Sequence, residues 1–196
     1  MTMVTPDVEA QLRQGFKYLN RLMVFMWRLG LGKLVNMSPT VGGRIMVLTH
    51  TGRKSGLKRR TPVNYAEVDG ELYCTAGFGA GSDWYRNILA HPEVEIWLPD
   101  GWYSATAEDI SDAQNRLFLL RQVLIASAFA ARAVGLNPVT MTGDELDAST
   151  STYKLIHIRR GAALTGDDGP GDLSWMLPLA GILLLPLLLP RRRKHH

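Results

Sequence analysis

The sequence predicts an α+β protein, mainly antiparallel β, whose short strands curl into a small barrel behind an N-terminal helix. Two observations carry this. Asp69-Gly70 and Asp100-Gly101 each separate two runs rich in β-branched and aromatic residues, the strongest short-range signal for a hairpin. Between Arg44 and Ala107 there is also no room for the helical crossovers of about a dozen residues that a parallel sheet requires.

The elements follow in order. Residues 1–35 form an N-terminal helix. Val8, Leu12, Phe16, Leu19, Leu22, Met23, Met26 and Trp27 recur at three- and four-residue steps from Asp7 to Leu29, and Gly30 is the stop. Its second half, Tyr18 to Leu34, is apolar for a surface helix, and is expected to cover the barrel mouth or a partner subunit, with a membrane surface as the alternative. Residues 36–160 hold the barrel, with strands at Arg44–Thr51, Thr61–Val68, Glu71–Ala76, Val94–Leu98, Trp102–Ala107 and Thr152–Arg159. Two further helices are expected. Ser82 caps a short one ending before His91-Pro92, and Ser111 to Gln114 opens another as a capping box running to about Ala133. Thr142 to Ser149 is a turn or short helix.

Gly77, Gly79 and Gly81 alternate, but they stand in an antiparallel context before a short polar helix, which argues against a dinucleotide fingerprint. They are expected to let a flat ligand ring lie close to the backbone. Residues 161–172, rich in Gly and Asp, read as a linker. Residues 173–196 form an apolar tail with a basic end: Leu173 to Pro190 contains no charge after Asp172, and Arg191, Arg192, Arg193 and Lys194 follow. An 18-residue helix spans roughly 27 Å, at the lower limit for a bilayer core. Pro178 and Pro186 would kink it. A membrane anchor on the cytoplasmic face, spanning or in plane, is the expectation.

The formal charge of the 196-residue chain is +4, from 22 basic and 18 acidic residues. The terminal tetrad supplies all of that excess. Arg53, Lys54, Lys58, Arg59 and Arg60 crowd one stretch, THTGRKSGLKRRTPVN from Thr49 to Asn64, so the rest of the body is acidic. Positive potential focused at one turn argues against a general nucleic-acid binder and for a small anionic ligand. Gly52 and Gly56 bracket Arg53-Lys54-Ser55, giving backbone N–H groups, a hydroxyl and fixed cations in one exposed turn. Cys74 is the sole cysteine, which fits a reducing compartment, and no His/Cys pair has metal-ligand spacing.

These residues resemble the deazaflavin-dependent nitroreductase family, split β-barrel oxidoreductases related to the FMN-binding barrels. The resemblance is carried by Leu48 to Gly56, Arg59 through Val63, Asp69-Gly70, Gly77-Phe78-Gly79, Asp83 to Ala90 and His91-Pro92-Glu93-Val94. It covers about a third of the chain. It implies coenzyme F-420, an 8-hydroxy-5-deazaflavin, as cofactor and an unsaturated, quinone-like or nitro-type lipophilic substrate as hydride acceptor. Arg53, Lys54 and Ser55 match the turn that takes the phosphate and acidic tail. Arg59, Arg60, Thr61, Pro62, Val63 and Asn64 match the strand along the phosphate and ring. Ala76, Gly77, Phe78 and Gly79 match the loop flanking the ring, and Asp83, Trp84, Tyr85, Arg86 and Asn87 the helix start that closes the pocket. No catalytic side chain is assigned; Tyr65, Tyr85 and Tyr153 are the hydroxyls considered as proton donors. On the residues alone, an FMN-dependent reductase stays open, as does a non-catalytic carrier of a flavin, tetrapyrrole or fatty acid. A homodimer is compatible with either.

Overall fold

The computed structural model describes residues 6–36 and 42–179. Six strands, β1 (Ile45–Thr51), β2 (Lys58–Val68), β3 (Glu71–Ala76), β4 (Glu93–Leu98), β5 (Gly101–Asp109) and β6 (Lys154–Ala163), close a barrel in the order β1-β2-β3-β6-β5-β4. Every pairing is antiparallel. Helices α1 (Pro6–Arg28), α2 (Gly32–Val35), α3 (Asp83–Ala90), α4 (Arg116–Ala126), α5 (Phe129–Ala133) and α6 (Gly143–Ser149) pack around it. The expected α+β split-barrel architecture is therefore present.

Period-two alternation builds the barrel interior. Met46 and Leu48 of β1, Val63 and Tyr65 of β2, Leu72 and Cys74 of β3, Val94 and Ile96 of β4 and Ile156 and Ile158 of β6 form one buried cluster. The outward residues face two further layers. Leu119, Leu120, Val123 and Leu124 of α4 cover Ala66 and Leu155. Trp27 of α1 covers Val47 and Trp97. The first hairpin closes through Asp69 and Gly70, at φ 53° and 82°, the doubly left-handed turn that an Asp-Gly pair favours. The second closes through Pro99-Asp100, with Leu98 opposite Gly101.

Several boundaries differ from the sequence expectations, each for a local reason. β2 begins at Lys58 rather than Thr61, because Lys58, Arg59 and Arg60 pair with Thr51, His50 and Thr49, so the turn shrinks to Gly52–Leu57. The helix expected from Ser111 begins at Arg116. The Ser111 hydroxyl instead bonds Asp109 Oδ1 and accepts the Leu155 N–H at 3.0 Å, which leaves nothing to cap a helix. That helix then breaks at Ala128, at φ 44°, where Ser127 bonds back to the Val123 carbonyl. The capping box sits elsewhere, between Thr142 and Glu145 at the start of α6.

The stretch 161–172, read from composition as a linker, is docked. Its first three residues extend β6. Gly171 N–H bonds the Trp27 carbonyl, Leu173 N–H bonds the Arg28 carbonyl, and Asp172 takes the Arg28 guanidinium at 2.9–3.0 Å. The Gly and Asp content that suggested freedom serves close packing and pairing instead: a Cβ at Gly169 would lie 2.7 Å from the Trp102 ring. α1 keeps Tyr18, Leu19, Leu22 and Phe25 exposed, and Trp175, Met176, Leu177 and Leu179 are exposed beyond the docked segment. Among the described residues no helix is long and apolar enough to cross a membrane. Most of the expected anchor, residues 180–196, lies outside the described residues.

Candidate cofactor site

The cationic turn leaves β1 and returns into β2. Gly52 N–H donates to the Leu57 carbonyl at 2.9 Å, and the N–H groups of Ser55 and Gly56 donate to the Gly52 carbonyl at 3.1 and 2.8 Å. Gly56 takes φ 66°, the left-handed backbone that ends the turn. Gly52 is buried, and a Cβ there would meet Ser55 Oγ at 2.7 Å and Arg59 Nε at 3.0 Å. The missing side chain lets a hydroxyl and a guanidinium converge above the backbone.

The five cations divide by partner. Arg53 donates through N and Nη1 to Asn87 Oδ1 at 3.1 and 2.9 Å, and through Nη2 to Asp83 Oδ1 at 3.0 Å. The Arg53 hydrogen bond holds the Asp83 carboxyl below its usual range. Lys58 pairs with Glu95 at 2.7 Å. Arg60 points out of the barrel, stacked 4.8 Å from the centroid of Trp97 and donating to the Asp168 carbonyl at 2.8 Å. Lys54 and Arg59 are exposed, and neither has a carboxylate partner among the described residues. Two cations without an ion-pair contact, in a turn with a serine hydroxyl, suit a ligand with several anionic groups.

α3 closes this end of the barrel. It presents Asn87 to the turn, while Tyr85 and Ile88 enter the barrel core. Asn87 is 3% exposed and its Nδ2 lies 3.1 Å from His50 Nδ1; the other ring nitrogen lies 3.0 Å from Thr61 Oγ1. Burial, and then the nearby Arg59, lower the His50 pKa from 6.5 to about 4. The folded state thus resists a proton that the unfolded chain accepts. Stability linked to His50 is complete above pH 6.5 and is lost as the pH falls toward 4, about 3 kcal/mol over that window. Urea unfolding of wild type and His50→Asn across the window measures it, the variant losing correspondingly less.

The structure gathers Arg53, Lys54, Ser55, Arg59, Thr61, Asp83 and Asn87 around the turn, and the loop Gly77–Gly79 follows the end of β3 with Trp84 half-buried against the core. It does not bring Arg60, Pro62 and Asn64 there, because alternation along β2 turns them to the opposite face; Asn64 bonds the Arg44 carbonyl. Val63, Ala76 and Tyr85 are buried in the barrel, and Arg86 donates to the Ala80 carbonyl. The glycine loop is packed against protein as well as open. A Cβ at Gly77 would touch the Tyr153 ring at 3.6 Å, and one at Gly79, at φ 54°, would stand 2.3 Å from the Thr152 carbonyl oxygen. Gly79→Ala is therefore expected to cost about 2 kcal/mol or more in urea unfolding.

Of the three tyrosines, Tyr65 is buried in the core. Tyr85 donates to Asp109, and burial together with that carboxylate pushes its pKa up to about 12. Burial pushes Asp109 up, but bonds from Ser111 and Tyr85 outweigh it and hold the carboxyl low. Tyr85 is thus a tie between α3 and β5, and Tyr153 is the one placed beside the glycine loop. Sequence reasoning missed His50. Its position two residues after Leu48 and four after Met46 in β1 was the available signal, since period two aims it at the same interior.

A small cavity of about 140 Å³ adjoins His50, lined also by Thr49, Thr51, Lys58, Glu93, Val94 and Glu95. It is smaller than the roughly 300–1,000 Å³ typical of organic-ligand sites, so it is not the cofactor cleft.

Residues 19–142, well over half of the chain, match the model of the F420H(2)-dependent quinone reductase family. The chain belongs to that family. This F420H(2)-dependent quinone reductase family member is accordingly an oxidoreductase, a reductase that depends on coenzyme F-420; FMN finds no support in the match. Solved structures also resemble it. One is described as an F420-H2 dependent reductase, FDR-A, at 23% identity over 59% of this chain and 93% of that one, with a TM-score of 0.41. Another is a putative 5-nitroimidazole antibiotic resistance protein from Bacteroides thetaiotaomicron, at 12% identity over 61% and 74%, TM-score 0.44. A third is HutZ, a heme storage protein from Vibrio cholerae, at 10% identity over 66% and 89%, TM-score 0.42.

Proposed function

We propose that this protein reduces an unsaturated, quinone-like or nitro-type lipophilic substrate with coenzyme F-420, the acidic end of the coenzyme being held at the Gly52–Leu57 turn. The carrying observation is Arg59, a cation without a carboxylate partner among the described residues, converging with Ser55 over a glycine that a Cβ would fill, with exposed Lys54 next to Ser55 in the turn. The donor set fits the cofactor: fixed positive charge and a hydroxyl for phosphate and carboxylates, then a loop at Gly77–Gly79 and the half-buried Trp84 beside which a flat ring can lie. When bound, the reduced deazaflavin supplies the hydride, from its C5 position.

The chain's own residues bind, orient and exclude water. Lys54, Ser55 and Arg59 contact the anionic groups. Arg53, already tied to Asn87 and Asp83, fixes the shape of the turn. Trp84 and the core beneath it form a dry wall. Tyr153 offers the one hydroxyl beside the loop among the three considered. The exposed apolar residues of α1 and of 175–179 support a lipophilic substrate met at the cytoplasmic face of a membrane, with the uncharged run up to Pro190 and its basic end as the attachment.

The test is a spectroscopic titration with coenzyme F-420 and with FMN, followed by oxidation of the reduced coenzyme against a naphthoquinone and a nitroimidazole. Tight F-420 binding with quinone-dependent oxidation supports the reading; FMN preference, or no turnover with either acceptor, overturns it. Cell fractionation of the full chain against one shortened to Leu179 tests the attachment, which fails if both remain in the soluble fraction.

A further inference from the structure

We propose that His50 is a positioning residue for the cationic turn: as the Nε2–H tautomer it fixes the side-chain amide of Asn87, and through it the backbone and guanidinium of Arg53. The inference rests on the reading that this turn holds the acidic end of coenzyme F-420, and it names what sets the turn's shape.

The tautomer follows from a backbone group two steps away. The N–H of Arg53 can only donate, and so can its guanidinium, so the oxygen of Asn87 must face both, at 3.1 and 2.9 Å. The Asn87 NH2 is then turned to His50 Nδ1 at 3.1 Å, and that nitrogen must accept. A neutral ring carries its proton on Nε2, where it donates to Thr61 Oγ1 at 3.0 Å. Each link has one polarity, and each permits only one at the next.

The chain of bonds is shielded. His50 and Asn87 are both 3% exposed, so losing a partner leaves a polar group largely cut off from bulk water. If Nδ1 did not accept, the amide would have no reason to keep its oxygen toward Arg53, and a flipped amide would set its NH2 against two donors. Protonating the ring has the same effect, since Nδ1–H then faces the Asn87 NH2. The charged groups around the ring are Arg59 across the β1–β2 ladder, Lys58, Glu93 and Glu95 around the adjoining cavity, and Arg53 with Asp83 behind Asn87. Glu95 is taken by Lys58 and the Trp102 Nε1–H. Burial and Arg59 keep the ring neutral.

Two variants of the full chain separate positioning from packing. His50→Asn keeps an acceptor near Nδ1, and His50→Gln keeps a donor near Nε2 but no acceptor toward Asn87. With both verified as folded by thermal melting, coenzyme F-420 titrated at neutral pH is expected to bind His50→Gln roughly tenfold more weakly and His50→Asn within about twofold of wild type. The ratio of wild-type to His50→Asn affinity is expected to fall as the pH approaches 4, a comparison in which the coenzyme's own ionisations cancel. Ring 15N NMR of the unliganded protein is expected to report a protonated Nε2 and a bare Nδ1, and the Arg53 amide is expected to lose exchange protection in His50→Gln only. Equal affinity in all three proteins, equal loss in both variants, or a protonated Nδ1 overturns the proposal. If wild type fails to bind the coenzyme, the cofactor reading falls, while the ring spectrum and the Arg53 amide still decide the role of His50.

Discussion

Changing Lys54 and Arg59 together to alanine is expected to weaken coenzyme F-420 binding about 100-fold while leaving thermal unfolding unchanged. Both side chains are exposed and neither has a carboxylate partner among the described residues, so the folded protein loses no ion pair when they go. A charge-assisted hydrogen bond to a ligand contributes about 1.5–3 kcal/mol, and screening at an exposed turn favours the low end, about tenfold for each cation. Arg53→Ala should behave differently, lowering both affinity and melting temperature, because Asn87 and Asp83 lose the donor that joins α3 to the turn. Fluorescence titration at two salt concentrations and differential scanning calorimetry read the two quantities separately. An unchanged dissociation constant in the double variant would place the acidic end of the coenzyme elsewhere.

Trp27→Ala is expected to have the largest effect on stability, about 3–5 kcal/mol, seen as a fall in melting temperature of roughly 10–15 °C. Trp27 is 2% exposed and fills the space between α1 and the outward face of Val47 and Trp97. The packing leaves no slack around it: a Cβ at Gly32 would lie 2.3 Å from its ring. Its carbonyl also receives the Gly171 N–H, so the docked segment after β6 loosens with the helix. A fall of only a few degrees would mean that α1 contributes little to the folded body.

The barrel was legible because its signals are local. Asp69-Gly70 forces a doubly left-handed turn, and alternation along β6 requires a two-sided sheet whatever the rest of the chain does. The turn was legible as a concentration of cations between two strands for the same reason. What composition could not reveal was allegiance. Five cations look equivalent in a string, yet alternation along β2 sends Arg59 and Arg60 to opposite faces, and the carboxyl groups of Glu95 and Asp83 claim two others. Ser111 shows the same limit: its spacing to Gln114 suits a cap, but Asp109 and the Leu155 N–H, 44 residues away, compete for its hydroxyl and win. The Gly- and Asp-rich run after β6 mimics a tether only until Arg28 and Trp102 are brought against it.

A cylinder of strands yields first at its weakest stave. The β1–β4 ladder has three residue pairs, Val47–Trp97, Leu48–Ile96 and Thr49–Glu95, the fewest of the six ladders, and past Thr49 the two strands part around the small cavity. His50 and the entry to the cationic turn stand directly beyond that gap. Breathing of the barrel is thus expected at the joint that leads into the cationic turn, and a coenzyme bound there as proposed would act as a hoop around it. Amide exchange at Thr51 and Glu93 is expected to outpace exchange in β3 and β6 in the free protein, and to slow on binding.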